Sequence, residues 1–381
     1  MMKKKQNKFV PFLKFVFSAI GCVLCLLVTV QAMTVFLLGS GESGKSGQSA
    51  KTSYMLIDRF NTYVTNVVSE SLDGVLSIKK VYWLSDDELV APEPNQACYG
   101  ETDQPEQMQK VLDAAVELLE GQDTLFSTDV TLMPGSKITY YLDETILAIT
   151  WKEVIDKSVY TISEIKIAHP TQFRRFFAGG EYAAGTQYLV SEMAQSVNAV
   201  VAANGDFYGF RNTGIIINNG RLLRMDGEKM DMCMIDGNGD LRFVYAGQMM
   251  EEAEAQAYID ENGVRFSLAF GPILIDNGVI QNVERPYPVG SGFSKNARAA
   301  LGQWDTLHYL LVTVSAEPPY KERHTLGEFS ENLLELGCKK AYNLDGGQSA
   351  TIVMNDKVMN YVYERKITDI IYFATALQNG E

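Results

Sequence analysis

Three Asn-Gly dipeptides, Asn219-Gly220, Asn262-Gly263 and Asn277-Gly278, do most to limit what this chain can fold into. Each stands between β-like runs, most clearly where Ile215–Asn218 meets Leu222–Met225. Asn-Gly tolerates positive φ at both positions, so it closes two-residue hairpins whose twist matches that of the flanking strands. From about residue 155 onward the chain therefore reads as short antiparallel strands joined by tight turns. Two helices interrupt them. One is expected over Tyr188–Val197. The other is expected over Thr325–Leu336, where Thr325 and Glu328 form a capping box, Leu326, Phe329, Leu333 and Leu336 share a face, and Gly337 is the stop. The fold class expected is α+β, with mixed, largely antiparallel sheets and a few packed helices.

The N-terminal end has a different character. Lys3, Lys4, Lys5, Lys8 and Lys14 precede any acidic residue, and an uncharged, mostly apolar run from Phe15 to Ser40 follows. A bilayer core takes about 20 apolar residues as helix, and flanking lysines keep that end in the cytoplasm. Residues 1–14 are thus expected to be a cytoplasmic basic tail and 15–38 a single transmembrane signal anchor, with the rest exported as an extracytoplasmic domain. The alternative is secretion after signal-peptide cleavage near Val30-Gln31-Ala32. Continuation of the run through Val35, Phe36, Leu37 and Leu38 favours the retained anchor.

Gly39-Ser-Gly-Glu-Ser-Gly-Lys45-Ser46 fits the G-x-x-x-x-G-K-S phosphate-loop pattern. Such a loop must join a buried strand to a helix. Here the preceding run is membrane length, and Gly47-Gln48-Ser49 opens no helix. Residues 39–52 read as a flexible Gly/Ser tether, and no nucleotide is expected there. Residues 53–150 read as an N-terminal α+β region of unknown role. Its expected elements are a helix over Tyr54–Ser71, a β-like stretch over Val75–Leu84, and a helix with Asp103 as cap and Pro105 in its first turn, running to Leu119.

Composition removes several classes. With 33 Lys+Arg against 47 Asp+Glu the chain is formally −14, the wrong sign for sequence-independent nucleic-acid binding. Three His and five Cys give little material for a His-rich zinc site or a disulfide scaffold. Cys98, Cys233 and Cys338 are an odd set in an exported region, so at least one is expected to be free or to pair between molecules. Asp236-Gly-Asn-Gly-Asp240 lacks the distal Glu of a calcium loop and reads as a turn. His169 and His308 read as structural. His324, just before a helix cap, is a weak acid–base candidate with no evident partner.

Three segments carry more chemistry than turns require. Asn204-Gly205-Asp206-Phe207 ends an apolar strand. Asn296-Ala297-Arg298 enters a β-like run ending in Leu301-Gly302-Gln303. Asn343-Leu344-Asp345-Gly346-Gly347-Gln348-Ser349 lies between the capped helix and the strand Thr351–Met354. Two glycines after an Asp expose backbone N–H groups and admit a ligand closely. Together with Ile167–Phe173 and Arg365–Phe373, these segments resemble the phosphodiester glycosidase family over about residues 160–377, within a domain expected to span 155–381.

The resemblance implies hydrolysis of a sugar-1-phosphodiester at its anomeric C–O bond, on a cell-envelope or exopolysaccharide glycan. The family's motif positions fall on Asn204, Gly205, Asp206, Arg298, Asn343, Asp345, Gly346, Gly347 and Ser349. Cleavage develops oxocarbenium charge that a carboxylate stabilises or captures, and the diester anion needs a cation or preorganised donors. Asp206 and Asp345 are assigned the carboxylate roles. Arg298 and the Gly346 and Gly347 amides are expected to hold phosphate, with Asn204, Asn343 and Ser349 positioning the sugar. No cofactor is called for, and metal dependence is left open. The chain departs from the family in two places. Arg298-Ala299 stands where the family has Arg-Thr, and Ser315-Ala316-Glu317 where it has Asp-Gly-Arg. The second departure supports an alternative, a non-catalytic glycan-phosphate binding module of the same fold.

Overall fold

The computed structural model describes residues 84–85, 88–119, 130–182 and 185–377, which belong to one compact unit, Val81–Glu381. The basic tail, the membrane run, the tether and the helix expected at Tyr54–Ser71 lie outside the described residues, as does nearly all of the Val75–Leu84 stretch. Among the described residues no helix is long and apolar enough to cross a membrane.

Among the described residues the architecture is α+β, three antiparallel sheets with four helices. The largest sheet has nine strands. In spatial order they are β1 (Tyr99–Thr102), β2 (Ile138–Leu142), β3 (Ile146–Ile155), β4 (Ser158–Ile167), β15 (His308–Ser315), β14 (Arg298–Asp305), β16 (Lys340–Leu344), β12 (Ile273–Asp276) and β13 (Val279–Ile280). A five-stranded sheet runs β10 (Leu241–Val244), β9 (Met232–Ile235), β11 (Phe266–Leu268), β7 (Ile216–Asn218) and β8 (Arg221–Arg224). A second runs β18 (Lys357–Val358), β17 (Ile352–Met354), β6 (Val201–Asn204), β19 (Asp369–Phe373) and β5 (Phe173–Phe177). The helices are α1 (Pro105–Leu118), α2 (Val190–Ser196), α3 (Glu252–Asn262) and α4 (Leu326–Glu335).

One apolar core joins all three sheets. Ile165, Tyr309 and Leu311 from one face of the large sheet meet Val201, Ile352 and Phe373 of one small sheet and Ile235 and Phe266 of the other. The opposite face of the large sheet packs Ile162, Leu310 and Val312 against Leu112 of α1 and Phe329 and Leu333 of α4. Burying one such large apolar side chain is worth about 1.5–3 kcal/mol. Coverage on both faces explains why every residue of β4 and β15 is buried and neither strand alternates cleanly between polar and apolar.

The turn signals resolve in two ways. Asn219-Gly220 and Asn277-Gly278 adopt positive φ (48° and 67°, 49° and 76°) and close the hairpins β7–β8 and β12–β13 as expected. Asn262-Gly263 does not close a hairpin. It ends α3, a helix the sequence reading missed, with Gly263 at φ 60° as the left-handed C-cap. The capping box at Thr325 is present, with Thr325 Oγ1 accepting from Glu328 N at 3.2 Å and Thr325 N donating to Glu328 Oε2 at 2.8 Å. At α1 the cap position is Gln104 rather than Asp103.

β1, β2 and the first half of β3 fall within residues 53–150, the expected N-terminal region, yet they continue the large sheet. β3 pairs with β4 along its whole length, from Ile146 opposite Ile167 to Ile155 opposite Ser158. The connecting turn, Asp156-Lys157, takes φ 47° and 62°. These are hairpin angles reached without glycine, so the usual signal is missing.

Candidate active site

β6 ends in Asn204-Gly205-Asp206, and β16 leads into Asp345-Gly346-Gly347-Gln348-Ser349. Asn204 is fully buried and bridges these two segments. Its Nδ2 donates to Asp345 O at 2.9 Å, and its Oδ1 accepts from Thr351 N at 3.2 Å. Gly205 is small for a reason visible in the packing, since a Cβ there would lie 2.4 Å from Asp369 Oδ2.

Asp206 has a side chain with no solvent exposure. Its Oδ1 accepts from Phe207 N at 2.6 Å and from Arg211 Nη2 at 2.8 Å, and its Oδ2 accepts from Ala269 N at 2.8 Å. Its own N–H donates to Asp369 Oδ1 at 3.0 Å. Asp369, on β19, accepts from Arg175 Nε at 2.8 Å, and Arg175 Nη2 stands 3.7 Å from Asp206 Oδ2. The result is a buried cluster of two carboxylates and two guanidiniums. Burial, reinforced by the nearby Asp206 charge and opposed by Arg175, raises the Asp369 carboxyl to about 6. Arg224 braces the same loop, donating to the carbonyls of Tyr208, Arg211, Thr213 and Gly214.

Asp345 differs from Asp206 in being open to solvent on one side. Its Oδ2 accepts from Arg365 Nη2 at 2.5 Å, and Arg365 Nε donates to the Ser349 hydroxyl at 2.6 Å. The Arg365 side chain is 42% exposed. Its guanidinium also lies 5.8 Å from the Phe207 ring centre, and Phe207 stacks on the half-exposed Phe210 at 4.4 Å. A carboxylate, a guanidinium and an aromatic surface therefore converge at the Gly346–Gly347 turn. The sequence assigns Arg365 no role within the Arg365–Phe373 segment. Its spacing twenty residues beyond Asp345 carries no local pattern, and only the fold brings the two together.

The remaining expected residues occupy supporting places. Arg298 is buried and engages main-chain carbonyls, with Nε donating to His324 O at 3.3 Å and Nη2 to Ser291 O at 3.1 Å and to Ser294 O. Burial lowers its guanidinium to about 10, still protonated at neutral pH. Of the two glycine amides expected to receive phosphate, that of Gly347 donates to Ala297 O at 3.0 Å. Gly346 packs so closely that a Cβ would sit 2.5 Å from Ala297 O. Asn343 Nδ2 donates to Gly271 O at 2.7 Å, and its buried Oδ1 has no partner among the described residues.

The other candidates are structural. Glu317 is held by Lys152, whose Nζ donates to both its oxygens at 2.9 and 2.8 Å. His324 is buried against the Tyr160 hydroxyl at 2.6 Å and Ser158 Oγ at 3.2 Å, and His308 pairs with Glu164 at 2.7 Å. Burial lowers the His324 pKa. Asp236 closes its turn on the backbone N–H groups of Asn238 and Asp240. Cys98, Cys233 and Cys338 are all unpaired thiols. Among the described residues no group of three or more His, Cys, Asp or Glu is arranged to hold a metal ion.

The family model described as phosphodiester glycosidase matches residues 197–374, which include both loops and Arg365. No curated protein matches the chain. Among solved structures, the chain is similar to the pro-peptide-inhibited catalytic domain of zebrafish N-acetylglucosamine-1-phosphodiester alpha-N-acetylglucosaminidase, at 20% identity over 60% of this chain and 83% of that one, with a TM-score of 0.48. A hypothetical protein from Synechocystis matches at 14% identity over 64% of each chain, with a TM-score of 0.45. A putative exported protein from Burkholderia pseudomallei matches at 13% identity over 57% of this chain and 74% of that one, with a TM-score of 0.39. Residues 197–374 of this chain are thus similar to the phosphodiester glycosidase family.

Proposed function

We propose that the chain hydrolyses the glycosidic bond of a sugar-1-phosphodiester, with Asp345 and Arg365 as the groups that meet the substrate. The observation that carries this reading is their side-by-side placement on the Gly346–Gly347 turn, reachable from solvent and backed by Ser349. Arg365 neutralises the diester oxygens, a task suited to a planar guanidinium. Asp345 stabilises the positive charge that grows at C1 and takes the proton of the attacking water. The C1–O bond to phosphate breaks with its electron pair on oxygen, the water oxygen bonds to C1, and a free sugar and a phosphomonoester result.

Phosphate is a competent leaving group, so no strong acid is required beneath it. Asp206 has both oxygens occupied and acts from below, fixing the Phe207 loop. Asn204 fixes the distance between the two loops, Arg298 ties the Ser291–Ser294 segment to the strand beside Gly346, and Asn343 holds the Gly271 loop. The Phe207–Phe210 stack offers a face to a sugar ring. Transmembrane anchoring and export, expected from the sequence of residues 1–40, and an envelope or exopolysaccharide substrate, expected from export together with the family resemblance, extend the same proposal.

The test is release of reducing sugar from an N-acetylglucosamine-1-phosphodiester by the full chain. Release that falls by about 10²–10³-fold in Asp345→Asn is expected; no release by the parent, or full release by the variant, overturns it. The engaged Glu317 and the missing Asp-Gly-Arg favour one second reading, a binding module without turnover. That reading expects the intact diester to bind, with Arg365→Ala abolishing binding.

A further inference from the structure

Arg365 reaches Asp345 from a strap, residues 359–367, that lies between β18 and β19. Residues 361–366 belong to no helix or strand, so no ladder holds them in place. The ends of the strap are fastened. At one end Met359 N donates to Ile352 O at 2.8 Å, and the buried Asn360 accepts from Ile352 N at 2.9 Å and donates to Ala350 O at 2.7 Å. At the other end Ile367 and Tyr188 exchange backbone hydrogen bonds at 2.8 and 3.0 Å. Between the ends, the backbone of Arg365 makes a long bond, from its N–H to Gln348 O at 3.4 Å.

Glu364 supplies a firmer pin. Its Oε1 accepts from Ser191 N at 3.2 Å and its Oε2 from the Ser191 hydroxyl at 2.9 Å. Ser191 is the second residue of α2, and Val190 and Met193 of that helix are buried with Ile370 and Tyr372 of β19, so the far end of the pin is rigid. A helix leaves its first N–H groups without internal partners, and a carboxylate from elsewhere in the chain satisfies one of them here. α2 already has a cap of its own, since Leu189 N donates to Glu192 Oε2 at 2.9 Å. The contact therefore does more for the strap than for the helix. Exposure alternates along the strap, with Tyr361, Tyr363 and Arg365 exposed and Val362 and Glu364 half-buried. That is the pattern of an extended segment whose successive side chains point to opposite sides. With Glu364 turned down onto α2, Arg365 is turned the other way, toward Asp345 and Ser349.

We propose that Glu364 is the positioning residue for Arg365, fixing the strap on α2 so that the guanidinium stands beside Asp345 before any substrate arrives. Its part in hydrolysis rests on the phosphodiester glycosidase reading; its part in placing the guanidinium rests on the geometry alone. An arriving diester anion takes over some of the donors that Arg365 gives to Asp345 and Ser349, and the hold of those contacts on the strap weakens at that moment. The Glu364–Ser191 contact lies on the opposite side and takes no part in the exchange. It keeps the guanidinium in place while its partners change.

The experiment compares the full chain with Glu364→Ala, which removes the pin, and with Glu364→Gln, which keeps it. In the latter the amide oxygen accepts from Ser191 N and the amide nitrogen donates to the Ser191 hydroxyl. Trypsin, which cuts after Arg365 and Lys366, reads the strap without reference to any reaction. Cleavage there, located by mass spectrometry, is expected to quicken in Glu364→Ala and not in Glu364→Gln. Hydrolysis of an N-acetylglucosamine-1-phosphodiester reads the consequence. In Glu364→Ala, KM is expected to rise about tenfold with kcat changed less than about threefold, because the cost of ordering the strap then falls on binding. Glu364→Gln is expected to match the parent in both constants, and all three proteins to melt at the same temperature. Unchanged cleavage of Glu364→Ala, a fall in kcat as large as the rise in KM, a lowered melting temperature, or failure of Glu364→Gln to match the parent overturns the positioning role. No sugar release by the parent, with the strap cut faster in Glu364→Ala, would sink the proposed function and leave the placement of Arg365 by Glu364 standing. Release by the parent with KM unaltered in Glu364→Ala would do the reverse.

Discussion

Two carboxylate–guanidinium constellations stand close in the fold and differ chiefly in their access to water. Asp206, Asp369, Arg175 and Arg211 form a buried cluster in which the Arg175, Asp206 and Asp369 side chains have no exposure at all. Asp345 and Arg365 form a partly exposed pair, with the Arg365 side chain 42% and the Asp345 side chain 13% exposed. Buried charges that lose a partner are left uncompensated in a poorly polarisable interior, whereas an exposed pair separates at little cost because water replaces each partner. The buried set is therefore suited to holding loops still and the exposed pair to exchanging its internal contact for a substrate.

Substitutions in the two sets should break along that line. Arg175→Met leaves two buried carboxylates facing each other and is expected to destabilise the fold by about 3–5 kcal/mol in urea denaturation. A loss below 1 kcal/mol would remove the distinction. Asp345→Asn should cost about 10²–10³ in kcat, the scale of a lost transition-state contact, with urea stability changed by no more than about 1 kcal/mol. Arg365→Lys keeps the charge and loses the fork; a loss of about 1.5–3 kcal/mol of diester binding, read as raised KM, is expected.

Acidity separates the sets as well. Asp369 has its folded pKa raised above the ordinary value of 3.8, to about 6, so the folded chain holds a proton that the unfolded chain has released. Its contribution to stability is full below about pH 4 and declines as pH rises through 6. Since Asp369→Asn imitates the neutral form, the stability of the parent relative to this variant should fall across that window; a constant difference would show that Asp369 stays ionised throughout. The smallest effect is expected for Glu101→Gln, which breaks only exposed pairs and should change stability by about 0–1 kcal/mol.

What could be read from the sequence follows the range of the interaction. Thr325 and Glu328, three residues apart, announced the cap of α4 correctly, and two Asn-Gly turns announced hairpins. Asn262-Gly263 misled because a left-handed glycine serves a helix C-cap as well as a hairpin. The β3–β4 hairpin was silent because Asp156-Lys157 supplies its turn and burial on both faces removes the alternation. At the site, the motif residues Asn204, Asp206, Asp345 and Ser349 do converge. What stayed hidden was which carboxylate faces solvent, because that depends on Arg175, Arg211 and Asp369. Arg175 and Asp369 lie 194 residues apart and meet only when β5 pairs with β19.

Asn204 has a mechanical consequence. Its side chain reaches from the end of β6, in one sheet, to the carbonyl of Asp345 beyond β16, in another. It acts as a rivet across a seam, and opening that seam would leave buried polar groups unpaired at a cost of about 1–3 kcal/mol each, which favours the closed arrangement. Substrate would meet a cradle already set to its final width, so the ordering cost of assembling the site falls on folding rather than on each encounter. Selectivity in such a cradle comes from what fits, with little left to adjustment after arrival.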